Sequence, residues 1–131
     1  MMTCSFCNIP RSDQIYETDL LIGFFDHYPV NRGHLLLVPR RHIETWFDAT
    51  EEEQTALLTA LDDAVEIIES HLDRKPDGYN IGFNVGEAAG QTVMHLHLHV
   101  IPRFHGDIED PRGGIRGAIP DRRIYEVDEE Q

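Results

Sequence analysis

The most informative segment of the sequence is QTVMHLHLHVIPR, residues 91–103, in which every second position from His95 to His99 is a histidine. Side chains of a β-strand alternate between its two faces. The three histidines therefore share one face of a predicted strand, and the apolar residues between them share the other, where they can pack on a core. A polar, solvated strand face would explain one histidine but does not explain three in register.

Two chemistries suit such a row of imidazoles. One is metal binding, although neighbours on one strand face lie roughly 6.6 Å apart, so that three collinear side chains converge poorly on a single ion. The other is nucleophilic catalysis, because a neutral imidazole attacks phosphorus and the phosphoramidate that forms is labile to water. Histidine titrates near neutral pH, so this chemistry needs no extreme pKa shift. A neighbouring ring or a backbone carbonyl can hold the tautomer that leaves the attacking nitrogen bare.

The rest of the chain predicts an α+β domain with an antiparallel sheet and one long amphipathic helix packed on it. Thr50 and Glu53 form a capping box, and apolar residues recur at helical spacing after it until Pro76. Apolar runs bounded by turn signals predict the strands: two within residues 14–27, and one each within 34–39, 79–86 and 92–102.

The composition restricts the class of partner and the compartment. The 131 residues include 24 acidic and 11 basic side chains, a formal net charge of −13, so neither nucleic acid nor an anionic membrane is an expected partner. The opening residues, MMTCSFCNIP, lack the pattern of a signal peptide, and no apolar run is long enough to span a bilayer. Cys4 and Cys7 are the two cysteines. Together these features predict a cytoplasmic protein with metal or redox chemistry at the cysteine pair.

The motif HLHLHVI resembles the signature of the histidine triad (HIT) family of nucleotide hydrolases and transferases. The similarity extends to residues 24–42 and 83–103, which look like the family's nucleoside-binding and phosphate-binding segments. It implies a HIT fold, with a five-stranded antiparallel sheet, over residues 1–104. Residues 105–131 are then expected to be a C-terminal extension packed on the same domain. Because the family usually forms two-fold dimers, the resemblance also implies a homodimer.

The resemblance assigns roles to four catalytic residues. His97, the middle histidine, would be the nucleophile, and His99 would contact the α-phosphate and stabilise developing charge. His34 would hydrogen-bond behind the nucleophile and orient it. Gln91 would contact the bridging or leaving-group oxygen.

The resemblance also implies a nucleotide-binding set. Asp26 would accept hydrogen bonds from the ribose hydroxyls, which suits a carboxylate facing a diol. Thr92 and Asn84 would donate to phosphate oxygens, and an apolar wall of the base pocket would include Leu35. The complete set comprises Phe24, Asp26, His27, Asn84, Gly90, Gln91, Thr92, His97 and His99.

A structural zinc is the cofactor that the resemblance implies. Zinc in a closed structural site takes four ligands of the Cys and His type. Cys4 and Cys7 supply two of them, and one branch of the family completes such a site with histidines at the positions of His42 and His95. This zinc would fix the N-terminus to the sheet and leave no open position for a substrate. The alternative is a metal-free cysteine pair near a frayed terminus.

The implied function is cleavage at the α-phosphate of a nucleoside monophosphate joined to a leaving group as an ester, anhydride or phosphoramidate. The reaction would run through a nucleotidyl-histidine intermediate and require no catalytic metal. The expected ligand is a purine nucleotide with adenosine as nucleoside, from a dinucleoside polyphosphate or an adenylyl phosphoramidate. Two other classes stay open: a non-catalytic nucleotide-binding scaffold that keeps the fold, and a metal carrier that binds through the whole triad without nucleotide turnover.

Overall fold

The computed structural model describes residues 4–125, which form one sheet, one long helix and several short 3-10 turns. The regular elements, in chain order, are β1 (Gln14–Glu17), β2 (Leu21–Phe25), β3 (Leu35–Pro39), α1 (Glu51–His71), β4 (Gly78–Gly82) and β5 (Leu98–Arg103). The 3-10 turns are Ser5–Asn8, Arg11–Asp13, Trp46–Asp48, Glu87–Ala89, Gly114–Ala118 and Pro120–Arg122.

The five strands form one sheet in the order β1-β2-β3-β5-β4, and every neighbouring pair is antiparallel. The last histidine of the triad therefore lies on an inner strand. Its ladder partners are Leu36 on β3 and Gly82 on β4. This architecture confirms the predicted α+β class and the five-stranded antiparallel sheet.

Helix α1 begins where its capping box predicts. The backbone N–H of Glu53 donates to Thr50 Oγ1 at 3.1 Å, and the backbone N–H of Thr50 donates to Glu53 Oε1 at 2.9 Å. Glu53 is buried, and its carboxylate also accepts from the Arg41 guanidinium at 2.7 Å. These bonds satisfy amide groups that the first turn of a helix leaves without intrahelical partners.

The sheet has a different cover on each face. On one face the helix packs against the larger core cluster, which contains Leu35, Leu37, Leu98 and Val100. The other face presents a smaller apolar cluster, which consists of Ile22, Phe24, Leu36 and Val38. The N-terminal residues Phe6 and Ile9 pack against it. His97 and His99 lie on this second face with Leu36, because strand residues alternate between the faces.

Two strands are shorter than the sequence predicts. β4 ends at Gly82 and not at Gly86. At Gly86 the backbone has a positive φ of 88°, a conformation that favours glycine. β5 starts at Leu98, so only the last histidine of the triad is on a strand. The preceding residues are still extended enough to alternate, since Leu96 is buried in the main core. The pairing of β3 with β5 ends at Leu37 with Leu98, and the Leu96 amide bonds instead to the Ile43 carbonyl at 2.7 Å.

The described part of the predicted tail contacts the sheet. Arg103 pairs with Asp107 at 2.8 Å, and the same carboxylate accepts from Asn31 at 2.8 Å. The His105 amide donates to Asp77 at 2.8 Å. The domain boundary at residue 104 stays a prediction. The first residues of the predicted domain, 1–3, and the last residues of the predicted extension, 126–131, lie outside the described residues. Between residues 4 and 125 there is no helix whose length and apolar character would let it cross a membrane.

Candidate active site

The ring of His97 is fixed by the backbone next to it. Its Nδ1 donates to the carbonyl oxygen of His95 at 2.7 Å, which places the proton of the neutral ring on Nδ1. The side chain is 8% exposed and lines a cavity. Among the described residues its Nε2 has no hydrogen-bond partner. The geometry therefore leaves a bare nitrogen lone pair at the edge of the cavity.

The tautomers of His34 and His99 are fixed by a chain of hydrogen bonds that starts at a backbone amide. The Val30 N–H donates to His34 Nδ1 at 3.0 Å, so the neutral His34 ring carries its proton on Nε2. That nitrogen lies 3.0 Å from His99 Nδ1 and donates to it. Neutral His99 then carries its proton on Nε2, a buried atom for which the described residues offer no partner. An unsatisfied buried donor is costly, so it marks a place where a ligand acceptor fits.

Burial keeps both of these rings neutral. It lowers the pKa of His34, and the Asp26 carboxylate, 3.6 Å from His34 Nε2, opposes this effect only in part. Burial, followed by the neighbouring His97 and His34 rings, lowers the pKa of His99 to about 4. At neutral pH the pair is therefore a hydrogen-bond relay and not a pair of cations.

The position of His34 corrects one expectation from the sequence. We expected this residue to hydrogen-bond behind His97 and orient it. In the structure its Nε2 is bonded to His99, and the orientation of His97 comes from the His95 carbonyl. The reason is the register of the sheet, since His34 directly precedes β3 and so lies beside His99 on β5.

The cluster of Asp26, His34 and His99 has the composition of a metal site, with donor atoms within 4.8 Å of one another. The hydrogen bonds argue against this function. His34 Nδ1 already accepts from the Val30 amide, so a metal on His34 Nε2 would leave the ring with no proton at all. This observation disfavours a metal ion held by Asp26, His34 and His99.

The cavity beside His97 and His99 has a volume of about 550 Å³. Of the predicted nucleotide-binding residues, it is lined by Phe24, Asp26, His27, Thr92, His97 and His99. One oxygen of the Asp26 carboxylate accepts from the Tyr28 amide at 3.0 Å, which holds the side chain at the cavity edge. The structure thus brings together on one concave surface the two histidines and the predicted ribose-binding carboxylate.

Apolar lining residues that the sequence prediction lacks include Phe6, Ile9 and Leu36. We expected Leu35 to form a wall, but it is fully buried in the main core on the opposite face. A shift of one residue along a strand reverses the face. The pairing of Leu36 with His99 would have identified the correct leucine, although register is not readable from one strand alone.

Asn84, a predicted phosphate-binding residue, does not line the cavity beside His97 and His99. It lines a second cavity of about 530 Å³, which shares His99 with the first cavity and also includes His34 and Ile115 of the tail. The two arginines near Ile115 are engaged elsewhere. Arg112 pairs with Asp110 at 2.8 Å, and Arg116 donates to the Arg122 carbonyl at 2.8 Å.

Gln91 and Gly90 belong to the loop behind the site. The Gln91 side chain is 3% exposed, and backbone groups use its whole amide: Oε1 accepts from Gly86, and Nε2 donates to the carbonyls of Glu44 and Val93. Gly90 has a φ of 94° and ends the turn before it. Neither residue lines a cavity described above, and the contact of Gln91 with a leaving-group oxygen stays a prediction. Through these hydrogen bonds, Gln91 closes the loop that precedes the triad.

The predicted zinc ligands converge on one point. The donor atoms of Cys4, Cys7, His42 and His95 all lie within 4.8 Å of one another. The sulfur–nitrogen separations are 3.4 Å for Cys4 with His95 and 3.2 Å for Cys7 with His42, and the two Nδ1 atoms are 3.2 Å apart. Tetrahedral zinc, with Zn–S and Zn–N lengths of about 2.3 and 2.05 Å, implies edges of about 3.5 and 3.3 Å. The four residues therefore fit this ion.

A second interaction supports the same conclusion. The Nε2 of His95 donates to the Pro39 carbonyl at 2.8 Å, which fixes the tautomer with a bare Nδ1 facing the cysteines. Metal-binding histidines commonly donate their other ring nitrogen in this way. His95 is fully buried, as a ligand of a closed structural site is expected to be.

A family model for the HIT domain matches residues 9–106. The chain belongs to the HIT family. An uncharacterized HIT-like protein of Methanocaldococcus jannaschii is 36% identical over 129 residues, which are 95% of this chain and 98% of that protein. The crystal structure of a zinc-bound histidine triad family protein from Mycobacterium smegmatis has a TM-score of 0.68 and 35% identity, covering 82% of this chain and 80% of that one.

Relatives with named activities are similar to this HIT chain over part of their length. An AP-4-A phosphorylase of Mycobacterium tuberculosis is 37% identical over 108 residues, or 78% of this chain. An adenylylsulfatase of Arabidopsis thaliana is 33% identical over 110 residues, or 79% of this chain. In each case the chain spans about half of the relative, 54% of its length.

Proposed function

We propose that this HIT protein is a nucleotide hydrolase or nucleotidyl transferase that cleaves substrates at the α-phosphate through a nucleotidyl-His97 intermediate. The observation that carries the proposal is the pair of ring nitrogens at the cavity: a bare Nε2 on His97 and an unpartnered Nε2–H on His99. A nucleophile and a hydrogen-bond donor side by side are what displacement at phosphorus requires.

In the first step, the Nε2 lone pair of His97 attacks the α-phosphorus. The N–P bond forms as the bond to the leaving group breaks, and the leaving group departs with that electron pair; an amine leaving group takes up a proton from solvent water as it departs. The His97 ring becomes cationic because it keeps its proton on Nδ1. The carbonyl oxygen of His95, 2.7 Å away, accepts this hydrogen bond and stabilises the charge.

His99 acts on the phosphate oxygens. Its Nε2–H donates to a non-bridging oxygen, where negative charge accumulates in the transition state. The Val30 amide and His34 keep that proton on the correct nitrogen. The donor is preorganised, since no ring has to rotate or exchange a proton when the substrate arrives.

In the second step, water attacks phosphorus and the N–P bond breaks, which releases the nucleoside monophosphate and restores the bare Nε2. Division into two displacements replaces one difficult step with two easier ones. No catalytic metal is required in this route. We assign zinc a structural role at Cys4, Cys7, His42 and His95, where it would hold the N-terminal residues against the sheet and leave no ligand position for a substrate.

The nucleoside that we propose is adenosine. The cavity has an apolar wall that includes Phe24 and Leu36, and the Asp26 carboxylate at its edge suits a ribose diol. The names of two relatives, AP-4-A phosphorylase and adenylylsulfatase, both refer to adenylyl compounds. We propose an adenylyl phosphoramidate or a dinucleoside polyphosphate as the substrate. The homodimer and the cytoplasmic location stay predictions from the sequence.

The test is steady-state hydrolysis of an adenylyl phosphoramidate by wild type and by His97→Ala, with AMP release measured by chromatography. We expect His97→Ala to lose turnover while isothermal titration calorimetry still detects AMP binding. His105→Ala is a matched control, because the His105 side chain is 93% exposed, and it should react at the wild-type rate. Turnover by His97→Ala at the wild-type rate would refute the proposal.

A further inference from the structure

The N-terminal residues Cys4–Asn8 form one compact turn, called the N-terminal turn below. The Cys7 amide donates to the Cys4 carbonyl at 3.2 Å, and the Asn8 side-chain amide donates to the same oxygen at 2.9 Å. Both cysteines of the zinc cluster are therefore carried by a segment whose internal geometry is set by its own hydrogen bonds.

The same turn forms a wall of the nucleotide cavity. Phe6, between the two cysteines in the sequence, lines the cavity. Its ring centroid is 5.0 Å from that of His97, with an interplanar angle of 81°, and 5.4 Å from that of Phe24. An edge-to-face contact of this kind depends on the position of the ring. A displacement of the turn therefore changes both the cavity and the surroundings of His97.

The turn has few other attachments. Across residues 4–125, the polar contacts that join it to the remainder of the chain are those between the two thiol sulfurs and the rings of His42 and His95. These are the atoms of the zinc cluster. The position of the turn thus rests on the metal site and on the apolar packing of Phe6.

His95 provides a second connection between the two sites. Its ring is a member of the zinc cluster, and its carbonyl oxygen holds the Nδ1 proton of His97 at 2.7 Å. The metal and the Pro39 carbonyl fix the position of the His95 ring. They thereby also fix the His95 backbone carbonyl, which sets the tautomer of His97. Two routes, one through Phe6 and one through His95, lead from the metal site to the nucleotide cavity.

We propose that zinc binding and nucleotide binding are positively coupled through the N-terminal turn. The inference rests on the proposed function, because it takes the cavity to be a nucleotide site. Zinc fixes the turn and so completes the cavity wall before the nucleotide arrives, and a bound nucleotide holds the same wall in the position that the two cysteines need. Coupling between binding equilibria is reciprocal, so each ligand raises the affinity for the other by the same factor.

The experiment measures zinc affinity of the zinc-loaded, full-length chain by competition with a chromophoric chelator, without AMP and with saturating AMP. Saturation is established beforehand by calorimetry. We expect AMP to raise the zinc affinity about 5- to 150-fold, the usual range for coupled sites. The measurement starts from the loaded protein, so it does not depend on a folded zinc-free form.

Phe6→Ala is the matched variant, because it keeps all four zinc ligands and removes the ring that connects the turn to His97. We expect it to bind zinc in the absence of AMP, and we expect AMP to raise that affinity by a smaller factor than in wild type, because only the route through His95 remains. If Phe6→Ala does not fold, as judged by circular dichroism, Phe6→Leu takes its place, with a smaller AMP effect than in wild type.

The outcomes separate this inference from the proposed function. AMP that binds the wild-type chain without any change in zinc affinity would overturn the coupling and leave the proposed function intact. An undiminished AMP effect in the Phe6 variant would overturn the route through the turn. A zinc-loaded chain that does not bind AMP would overturn both the proposed function and the coupling.

Discussion

Replacement of His34 by leucine isolates the contribution of the histidine relay to catalysis. His34 is 2% exposed, so leucine fills most of its space without creating a large cavity. The change removes the Nε2–H that donates to His99 Nδ1 at 3.0 Å and the Nδ1 acceptor for the Val30 amide. His99 itself is retained, but nothing then fixes the nitrogen on which it carries its proton.

The expected magnitude follows from what the His99 donor contributes. A hydrogen bond to a charged group is worth about 1.5–3 kcal/mol. Since each 1.36 kcal/mol changes a rate about tenfold, loss of a correctly placed donor should lower kcat/KM by about 10- to 150-fold. His97 keeps its own bond to the His95 carbonyl, so residual turnover should remain.

The assay is kcat/KM for hydrolysis of an adenylyl phosphoramidate, with the folded fraction of each variant checked by thermal melting. His34→Gln is the matched control, because its side-chain amide can place an N–H donor close to the position of His34 Nε2. It should retain a rate within about tenfold of wild type, in line with one imperfectly aligned hydrogen bond. A folded His34→Leu variant with wild-type kcat/KM would refute the relay, and equal losses in both variants would refute the part played by the donor.

Three further predictions concern stability and metal content. Thr50→Ala removes the capping-box acceptor of the Glu53 amide and should lower the free energy of unfolding by about 1 kcal/mol in urea melts, without loss of activity; an unchanged midpoint would contradict this. The pKa of His99 in the folded chain, about 4, lies below the ordinary value of 6.5. Between these two pH values the unfolded chain therefore binds more protons than the folded chain, and the free energy of unfolding falls as the pH drops from 6.5 towards 4. His99→Asn should reduce that slope in pH-dependent melts, and an identical slope would exclude His99 as its source. Cys4→Ser should lose bound zinc by mass spectrometry and melt at a lower temperature than wild type, whereas wild-type protein purified without zinc would exclude the site.

Much of the fold is predictable because local signals determine it. The capping box of Thr50 and Glu53 sets the start of α1, and the alternation from His95 onward correctly separates the core side from the site side. The lengths of β4 and β5 are not predictable in this way. They depend on how far neighbouring strands stay paired: β3 and β5 pair as far as Leu37 and Leu98, and one strand's sequence does not contain that information.

The site shows the same limit. Cys4 and Cys7 are recognisable as zinc ligands by residue type, and the family resemblance adds His42 and His95. The structure brings the four donor atoms together. The hydrogen bonds of His34 and Gln91 were not predictable, because each depends on the register or loop that places a polar group near its neighbours. Phe6 was missed for a related reason: nothing in its local sequence shows that zinc ligands on either side would bring it against His97.

The covalent nucleotidyl intermediate on His97 is tested most simply by the stereochemical course of the reaction at phosphorus. Hydrolysis of one diastereomer of a P-chiral adenosine phosphorothioamidate in isotopically labelled water gives a product whose configuration can be determined. Two successive in-line displacements, first by His97 and then by water, predict overall retention. Overall inversion would mean that water attacks the substrate directly, and it would contradict a covalent intermediate on His97.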